Sequence, residues 1–544
     1  MTFFAPEPLP SLPNTSLSPA DASRFLLQAT FGPKQEEIDR LTGKGLPDLD
    51  AWIAEQIGIP VSNHQAATEQ DYERFLKPLG EKYRLIHENR QAAWWSIAVK
   101  GNDQLRQRMA FALSQIFVVS ETNSTLSSYP REVAAYYDLL ARNALGNFRD
   151  LLEQVTLSPV MGVYLSHLRN AKSATDAKGK SVTSPDENYA REVMQLCTVG
   201  RTLLHPDGTL KLDAQGNSVP TYDQTTVREM AKVFTGWGFA SDDPDPSFIA
   251  AYSDYLRPMR LYPNYHDNSA KTIVGGRTLP ANQGGAKDLS DTLDALCNHP
   301  NTAPFICRQL IQRLVTSNPS PGYVYRVASV FANNGRGTRG DLGAVVRAIL
   351  TDPEARSRDA ANQPTFGKLR EPVLRVTAML RSLNGDSNSG RIPFYSQSTD
   401  EKLAQTPLKA PSVFNFFEPA FVQPGRLATQ GLVSPEFQIL NAATLVSTTN
   451  FFQVYLNTRP PDDPANQLVR ILPSASDLAL ARNAESLVGH LNVRLTGGSL
   501  PRSVTERIVR MLAPFLSATD GDLDSRFRSV AYVILASPQC AIQK

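Results

Sequence analysis

The sequence predicts a mainly α-helical fold: a multi-helical globular protein with a few short strands and long proline-rich loops. Apolar residues recur at helical spacing in many segments, as Leu105, Met109 and Ala112 do. Capping and stop residues flank such segments, since Asp223 precedes one apolar stripe and Gly236 follows it. Strand signals are few. We therefore expect more than half of the ordered structure to be helix.

The helical pattern recurs along the whole chain. The segments that carry it, besides the one that Asp223 and Gly236 flank, are 103–120, 148–165 with an interruption at Pro159, 302–316, 340–350, 373–383, 503–516 and 524–535. Short strands are expected only within 203–220, around two turn signals, and within 271–279. The Pro-rich loops at 241–263 and 385–425 are long for a compact domain, and loops of this length often act as lids or binding loops.

The length of 544 residues allows several domains or one large helical unit. We divide the chain into an extended leader at 1–18 and three helical regions, which we expect to pack as one unit. The regions are 19–175, 176–360 with the candidate site, and 361–544.

The charge of the chain is almost balanced, with 55 basic and 53 acidic residues. This balance gives no electrostatic reason to expect nucleic acid or an anionic membrane as a partner. The chain has no apolar run of the length that a membrane span needs. The first residues lack a basic segment followed by an apolar one. We therefore expect either a cytoplasmic protein or a trimmed mature form.

The four cysteines are Cys197, Cys297, Cys307 and Cys540, and none has the CxxC spacing of a zinc site. Cys297 and Cys307 are close enough in sequence to bridge a short loop. Buried thiols are the simpler expectation.

Residues 184–200 form the most informative segment. Ser184, Pro185 and Glu187 have the order of a capping box, and Gly200 is a natural helix stop. One face of the predicted helix carries a dense polar set, namely Glu187, Asn188, Arg191, Glu192 and Gln195. This face is either a solvated surface with a Glu187–Arg191 pair or the wall of a site.

A second polar group follows the aromatic run at 262–265. His266 and Asp267 there are either a general base or metal ligand with its carboxylate, or a turn cap with the imidazole packed on Tyr265. Lys271 either neutralises an anionic substrate group or is an ordinary surface lysine. Trp237 is either a core residue or a platform for stacking a sugar.

Several spaced blocks together resemble the bacterial DUF1800 family. They are Arg24-Phe-Leu-Leu-Gln-Ala-Thr-Phe-Gly32, Glu187-Asn-Tyr-Ala-Arg-Glu192, Phe234-Thr-Gly-Trp237, His266-Asp267 with Lys271-Thr272, His299-Pro-Asn-Thr-Ala303, Arg370-Glu371-Pro372, Pro411-Ser-Val-Phe-Asn415 and Ser434-Pro-Glu-Phe437. The resemblance implies a mostly helical, commonly exported bacterial protein of unknown activity, and therefore a periplasmic or secreted location. It also implies a gene neighbour of the DUF1501 family. The chain departs from the family pattern at Gln195, where a glutamate is usual, and in showing no export signal.

The first functional hypothesis is an enzyme that acts on a polysaccharide, because Asn, His, Tyr, Arg and Glu are the side chains that a helical polysaccharide lyase or glycosidase uses. The chain has no Gly-x-Ser-x-Gly, His-Glu-x-x-His or phosphate-loop motif, which argues against the common hydrolase, zincin and NTPase types. In a lyase, Asn188 or Arg191 would neutralise a uronate and His266 or Tyr265 would take the proton. In a glycoside hydrolase, Glu192 would pair with Glu187 or Asp267. The remaining substrate contacts would come from Trp237 and Lys271.

Two alternatives stay open. One is metal-dependent hydrolysis through Glu192, His266 and Asp267, with a divalent metal as the cofactor. The other is a non-catalytic scaffold or partner of a co-encoded DUF1501-like exported protein. The chain has no nucleotide or flavin motif. If the two polar groups form a single site, we expect His266 to lie within roughly 10 Å of the 188–192 face.

Overall fold

The computed structural model describes residues 16–175, 181–243, 246–249, 253–512 and 523–544. Helices make up 55% of the described residues, so the mainly α prediction is confirmed. Most of the predicted leader, residues 1–15, lies outside the described residues.

The helices run through all three predicted regions. The first region contains α1 (Pro19–Ala29), α2 (Gln35–Leu41), α3 (Leu46–Gly58), α4 (His64–Phe75), α5 (His87–Lys100), α6 (Gln104–Ser114), α7 (Pro130–Asn143), α8 (Phe148–Leu157) and α9 (Pro159–Tyr164). The second contains α10 (Asn188–Gln195), α11 (Gln224–Val233), α12 (Gly285–Asn298), α13 (Thr302–Leu314), α14 (Pro321–Ala332), α15 (Leu342–Thr351), α16 (Pro353–Arg356) and α17 (Arg358–Asn362). The third contains α18 (Pro372–Ser382), α19 (Ser396–Leu403), α20 (Arg426–Thr429), α21 (Ala442–Asn457), α22 (Ala475–Leu480), α23 (Ala484–Thr496), α24 (Arg502–Leu512), α25 (Leu523–Ala536) and α26 (Pro538–Ala541).

The strands form antiparallel pairs of two or three residues each. The paired strands are β1 (Ala174–Thr175) with β2 (Ser181–Thr183), β3 (Trp237–Gly238) with β4 (Arg260–Leu261), β5 (Lys271–Thr272) with β6 (Thr278–Leu279), β7 (Lys368–Leu369) with β10 (Ile542–Gln543), and β8 (Gly385–Asp386) with β9 (Arg470–Ile471). In register, Lys271 lies opposite Leu279 and Trp237 opposite Leu261.

The strand predictions are only partly confirmed. The pair β5–β6 lies within the predicted 271–279 segment. The 203–220 segment has both predicted turns, since the His205 N–H donates to the Thr209 carbonyl and the Asp213 N–H donates to the Asn217 carbonyl. Its pairing consists of isolated antiparallel bridges and not of continuous strands. Restricting strands to these two segments was wrong, since β7 and β8 pair with partners far away in sequence. A local turn signal cannot reveal such long-range pairs.

A single hydrophobic core joins the three predicted regions. It runs from Phe25 on α1, through Trp94 and Trp95 on α5, to Phe527 on α25. All four cysteines are buried and free, so the expected thiols are confirmed and Cys297 does not bridge Cys307. Among the described helices, none is both long enough and apolar enough to cross a membrane.

The elements that position the candidate site are α10, α11, α12 and the strand β5. Helix α11 contacts both α10 and β5, and it also contacts α12. The predicted cap of α11 is confirmed, because the Asp223 carboxylate accepts the Thr226 N–H at 2.8 Å. Gly236 follows this helix with φ of +81°, and a Cβ atom there would lie 2.9 Å from the His266 nitrogen. Glycine therefore lets the His266 loop pack against the end of α11.

Candidate functional site

Helix α10 begins later than the capping box predicts. Its first residue is Asn188, whose N–H donates to the Asp186 carboxylate at 2.7 Å, and Ser184 is not the cap. The reason is tertiary: the Asp186 N–H donates to the Asn170 side chain at 2.8 Å, and the Asn170 amide donates back to the Asp186 carbonyl at 3.2 Å. These bonds hold the chain at Asp186 outside the helix.

The exposed part of the α10 face is a small hydrogen-bonded network. Arg191 and Glu187 form the predicted i,i+4 ion pair at 3.1 Å. Gln224 on α11 donates to the same Glu187 carboxylate at 2.6 Å and accepts from Arg191 at 3.2 Å. Asn188 is exposed beside them. The face therefore couples α10 to α11 while its polar groups remain open to solvent.

Glu192 differs from its neighbours on this face. Its residue is only 6% exposed, and the Oε2 atom has no hydrogen-bond partner among the described residues. Burial raises the pKa of Glu192, and the nearby Arg191 offsets only part of that effect. Burial and the Glu192 charge together raise the pKa of Tyr222. The fold therefore favours the protonated acid at Glu192.

His266 is buried in a fully bonded cluster. Its Nδ1 lies 2.9 Å from the Thr235 carbonyl oxygen, and its Nε2 lies 3.0 Å from Asp288 Oδ2. Lys271 donates to the same carboxylate oxygen at 2.6 Å, and Gln283 donates to Asp288 Oδ1 at 2.6 Å. Both ring nitrogens of His266 are thus occupied by protein groups.

Asp288 is the centre of this cluster. Burial alone would raise the pKa of Asp288, but the hydrogen bonds from His266, Lys271 and Gln283 outweigh burial and lower that pKa. His266, Lys271 and Asp288 are each 1% exposed. The sequence pattern pointed to His266 and Lys271, but it gave no signal for Asp288, which lies 22 residues further along on α12.

The remaining nominated residues have local structural contacts. Asp267 accepts the Ser269 N–H at 2.9 Å, which is the turn-capping alternative. Tyr265 stacks on Phe248, with ring centroids 4.1 Å apart and planes 19° apart. Trp237 is 7% exposed and lies in the core. Their roles in substrate binding stay predictions.

The two polar groups lie on elements that share neighbours. Asn170 connects them, since its side chain holds Asp186 before α10 and its carbonyl accepts the Gly236 N–H at 2.7 Å. The Lys172 N–H also donates to the Tyr265 carbonyl at 2.9 Å. A single site that contains Glu192 and His266 stays a prediction.

No three His, Cys, Asp or Glu side chains within the described ranges are grouped so that they could hold a metal ion. The described part of the chain therefore gives no ligand set for the metal-dependent alternative. An open cavity of about 590 Å³ lies elsewhere, between α7, α8 and α9, and its lining includes Tyr136, Asp150 and Glu153.

Comparison with protein families matches residues 24–542 to a family model described as a protein of unknown function, DUF1800. The chain belongs to the DUF1800 family. No curated protein and no solved structure matches it.

This DUF1800 protein also has a buried charged cluster that the sequence pattern did not reveal. Glu371 accepts hydrogen bonds from Gln115 at 2.5 Å and Gln405 at 2.6 Å, and Lys368 pairs with Glu436 at 2.8 Å. The blocks around 370–372 and 434–437 supply both glutamates. Sequence spacing gives no sign that these blocks meet, because they lie more than sixty residues apart.

Proposed function

We propose that this DUF1800 protein is an acid–base enzyme acting on a polysaccharide, with Glu192 as the proton donor. One observation carries the proposal: the Glu192 carboxyl is buried, has an oxygen without a partner among the described residues, and has a raised pKa. A general acid needs a carboxyl whose protonated form is favoured near the working pH.

The neighbours of Glu192 suit a polyhydroxylated substrate. Asn188, Arg191 and Gln224 offer amide and guanidinium groups on a solvent-facing surface, next to the Glu187 carboxylate. Such groups hydrogen-bond to sugar hydroxyls and orient a chain along a surface. The face therefore supplies binding groups for such a substrate.

Between the two polysaccharide chemistries, the contacts favour hydrolysis over elimination. A lyase base needs a free ring nitrogen, but both ring nitrogens of His266 are hydrogen-bonded to protein groups. Arg191, which would neutralise the uronate, is already paired with Glu187. A uronate carboxylate would have to displace Glu187 from Arg191. A hydrolase needs an acid, the role of Glu192, and a second carboxylate, for which Asp267 and Glu187 are the candidates. Glu187 is the weaker of the two, because side chains five residues apart on one helix diverge.

The experiment is turnover on a panel of neutral and uronate polysaccharides, read by reducing-sugar release and by the ultraviolet absorbance of unsaturated products. We expect reducing ends without unsaturated products, and a loss on the order of a hundredfold or more in rate for Glu192→Gln. Glu229→Gln is the matched control, because Glu229 on neighbouring α11 pairs with Lys232 at 2.6 Å. Turnover that survives in Glu192→Gln contradicts the proposal.

A second candidate function, binding of a DUF1501-family partner, is favoured by the surface of α21. This helix has no charged residue in its sixteen positions, and Leu445, Val446 and Val454 are between 50% and 59% exposed. An exposed apolar helix face is typical of a docking surface.

Val446→Glu tests this second function with a purified DUF1501-family protein. We expect binding to be lost while stability changes by less than about 0.5 kcal/mol, because the side chain is on the surface. Leu210→Glu is the control, since Leu210 is 50% exposed in a different part of the molecule. Equal binding by the two variants would remove α21 as the docking surface.

A further inference from the structure

The buried charged cluster around Lys368 contains more positive than negative groups. Its cations are Arg108, Arg313 and Lys368, and its carboxylates are Glu371 and Glu436; none of the five is more than 4% exposed. Burying charge is costly unless each charge is paired and hydrogen-bonded. The cluster therefore has one cation more than its carboxylates can match.

The lysine, and not the guanidinium groups, pairs with the carboxylates. Lys368 Nζ lies 2.8 Å from Glu436 Oε1 and 4.0 Å from Glu371 Oε1. Glu371 Oε2 is occupied by the amides of Gln115 and Gln405. Neither carboxylate accepts a hydrogen bond from the two arginines, although each has one oxygen without a donor among the described residues.

The two guanidinium groups contact only neutral carbonyls. Arg108 donates to the Arg313 carbonyl at 2.5 Å, and Arg313 donates to the carbonyls of Gln115 at 3.0 Å and Gln309 at 3.2 Å. Within the described chain, neither guanidinium lies within 4 Å of a carboxylate.

Some other buried arginines in this protein are neutralised directly, whereas Arg24 and Arg375 donate to backbone carbonyls, as Arg108 and Arg313 do. Arg90 pairs with Glu121, and Arg391 pairs with Asp71 at 2.6 Å. Burial without such a partner lowers the pKa of Arg108 and of Arg313 to about 10.

The polar atoms left without partners on the arginine side are donors. They are Nε and Nη1 of Arg108 and Nε of Arg313. Buried donors in native proteins are nearly always satisfied. We propose that Arg108 and Arg313 hold a small monovalent anion of halide size inside the protein.

The acceptors left over in the cluster fit the same arrangement. Glu371 Oε1, Glu436 Oε2 and Gln115 Oε1 lack donors among the described residues. Water satisfies acceptors of this kind and also hydrates one side of a buried anion. Water is therefore enough for these acceptors, whereas the unpaired positive charges of the two guanidinium groups require an anion.

Diffraction from bromide-soaked crystals of the full chain tests the site directly, since bromide is a halide with an anomalous signal. We expect an anomalous peak at hydrogen-bonding distance from the free N–H groups of Arg108 and Arg313. A map that shows only water there, or bromide only at the surface, overturns the proposal. This measurement needs no variant.

Thermal unfolding gives the second test, in sodium chloride and in sodium gluconate at equal ionic strength. Gluconate is much larger than the halide-sized anion proposed here, so we expect chloride to raise the melting temperature by about 1–3 °C. Arg108→Met should abolish this difference. Arg375→Met is the matched control, because Arg375 is a buried guanidinium that donates to the Leu535 carbonyl at 3.0 Å, and it should keep the difference. Loss in both variants, or in neither, contradicts the site.

Discussion

At the scale of single residues, two buried carboxyl groups differ in how many hydrogen-bond partners they have. Asp288 accepts hydrogen bonds from His266, Lys271 and Gln283, so its charge is fully compensated. Glu192 is nearly as buried but has an oxygen without a partner in the described chain. A buried carboxylate whose hydrogen bonds are all formed within the protein is typical of a structural group, whereas a buried carboxyl without a partner is typical of a functional one.

The Asp288 cluster should therefore stabilise the fold. Asp288→Asn leaves Lys271 buried without its counter-charge, so we expect a loss of about 3–5 kcal/mol in the free energy of unfolding. Urea denaturation measures it. Asp291→Asn is the control, because Asp291 is on the same helix and its partner Lys287 is largely exposed. A loss of under about 1 kcal/mol in Asp288→Asn would mean that the cluster does not hold the loop.

Replacing Glu192 by glutamine should stabilise the protein instead, by an amount that depends on pH. Because the pKa of Glu192 is raised in the folded state, its contribution to stability is fully present below about pH 4, where the unfolded carboxyl is also protonated, and is lost as pH rises through the folded pKa. We expect Glu192→Gln to match the wild type in acid and to be more stable by about 1 kcal/mol at neutral pH. Urea midpoints across the pH range test this, and a destabilised variant at neutral pH would assign Glu192 to a structural pair.

At the scale of elements, the sequence predicts helix positions well where the cap acts locally. Asp223 caps α11 as expected, and Pro159 separates α8 from α9. The start of α10 was wrong because Asn170, a residue distant in sequence, holds Asp186. The buried partners of the candidate site, such as Asp288, were missed for the same reason. Contacts between distant segments leave no local pattern.

The helix stop predicted at Gly200 is misplaced, because α10 ends at Gln195 and Gly200 lies in the segment that follows. Gly200 has φ of +71°, and a Cβ atom there would lie 2.7 Å from the Phe305 ring. Gly200→Ala should cost about 2–4 kcal/mol, from backbone strain and overpacking together. Gly216 has φ of +84° with nothing within 4 Å, so Gly216→Ala should show only the strain, about 1 kcal/mol. Equal losses would show that Phe305 moves freely.

At the scale of the whole molecule, contacts between residues distant in sequence join the three predicted regions. Strand β10 pairs with β7, and the Gln543 side chain donates to the carbonyls of Leu314 at 2.7 Å and Val315 at 3.1 Å. Arg24 on α1 donates to the Ala355 carbonyl at 3.0 Å. Packing of the three regions as one unit stays a prediction, as do the boundaries drawn from the sequence, and these contacts with the shared core suggest how to test it.

Cooperativity follows from this arrangement and can be measured with two probes. The four tryptophans are Trp52, Trp94, Trp95 and Trp237, so fluorescence reports mainly on the first two regions. Among the ring contacts of the described residues, only that of Trp95 with Phe394, at 5.2 Å between centroids, lets a tryptophan sense the third region, whereas far-ultraviolet circular dichroism reports on all helices. We expect both probes to give one coincident urea transition. Gln543→Ala removes two buried hydrogen bonds, costs about 1–3 kcal/mol, and should move both midpoints equally although no tryptophan lies in its region. If only the dichroism midpoint moves, residues 361–544 unfold on their own and the single unit is wrong.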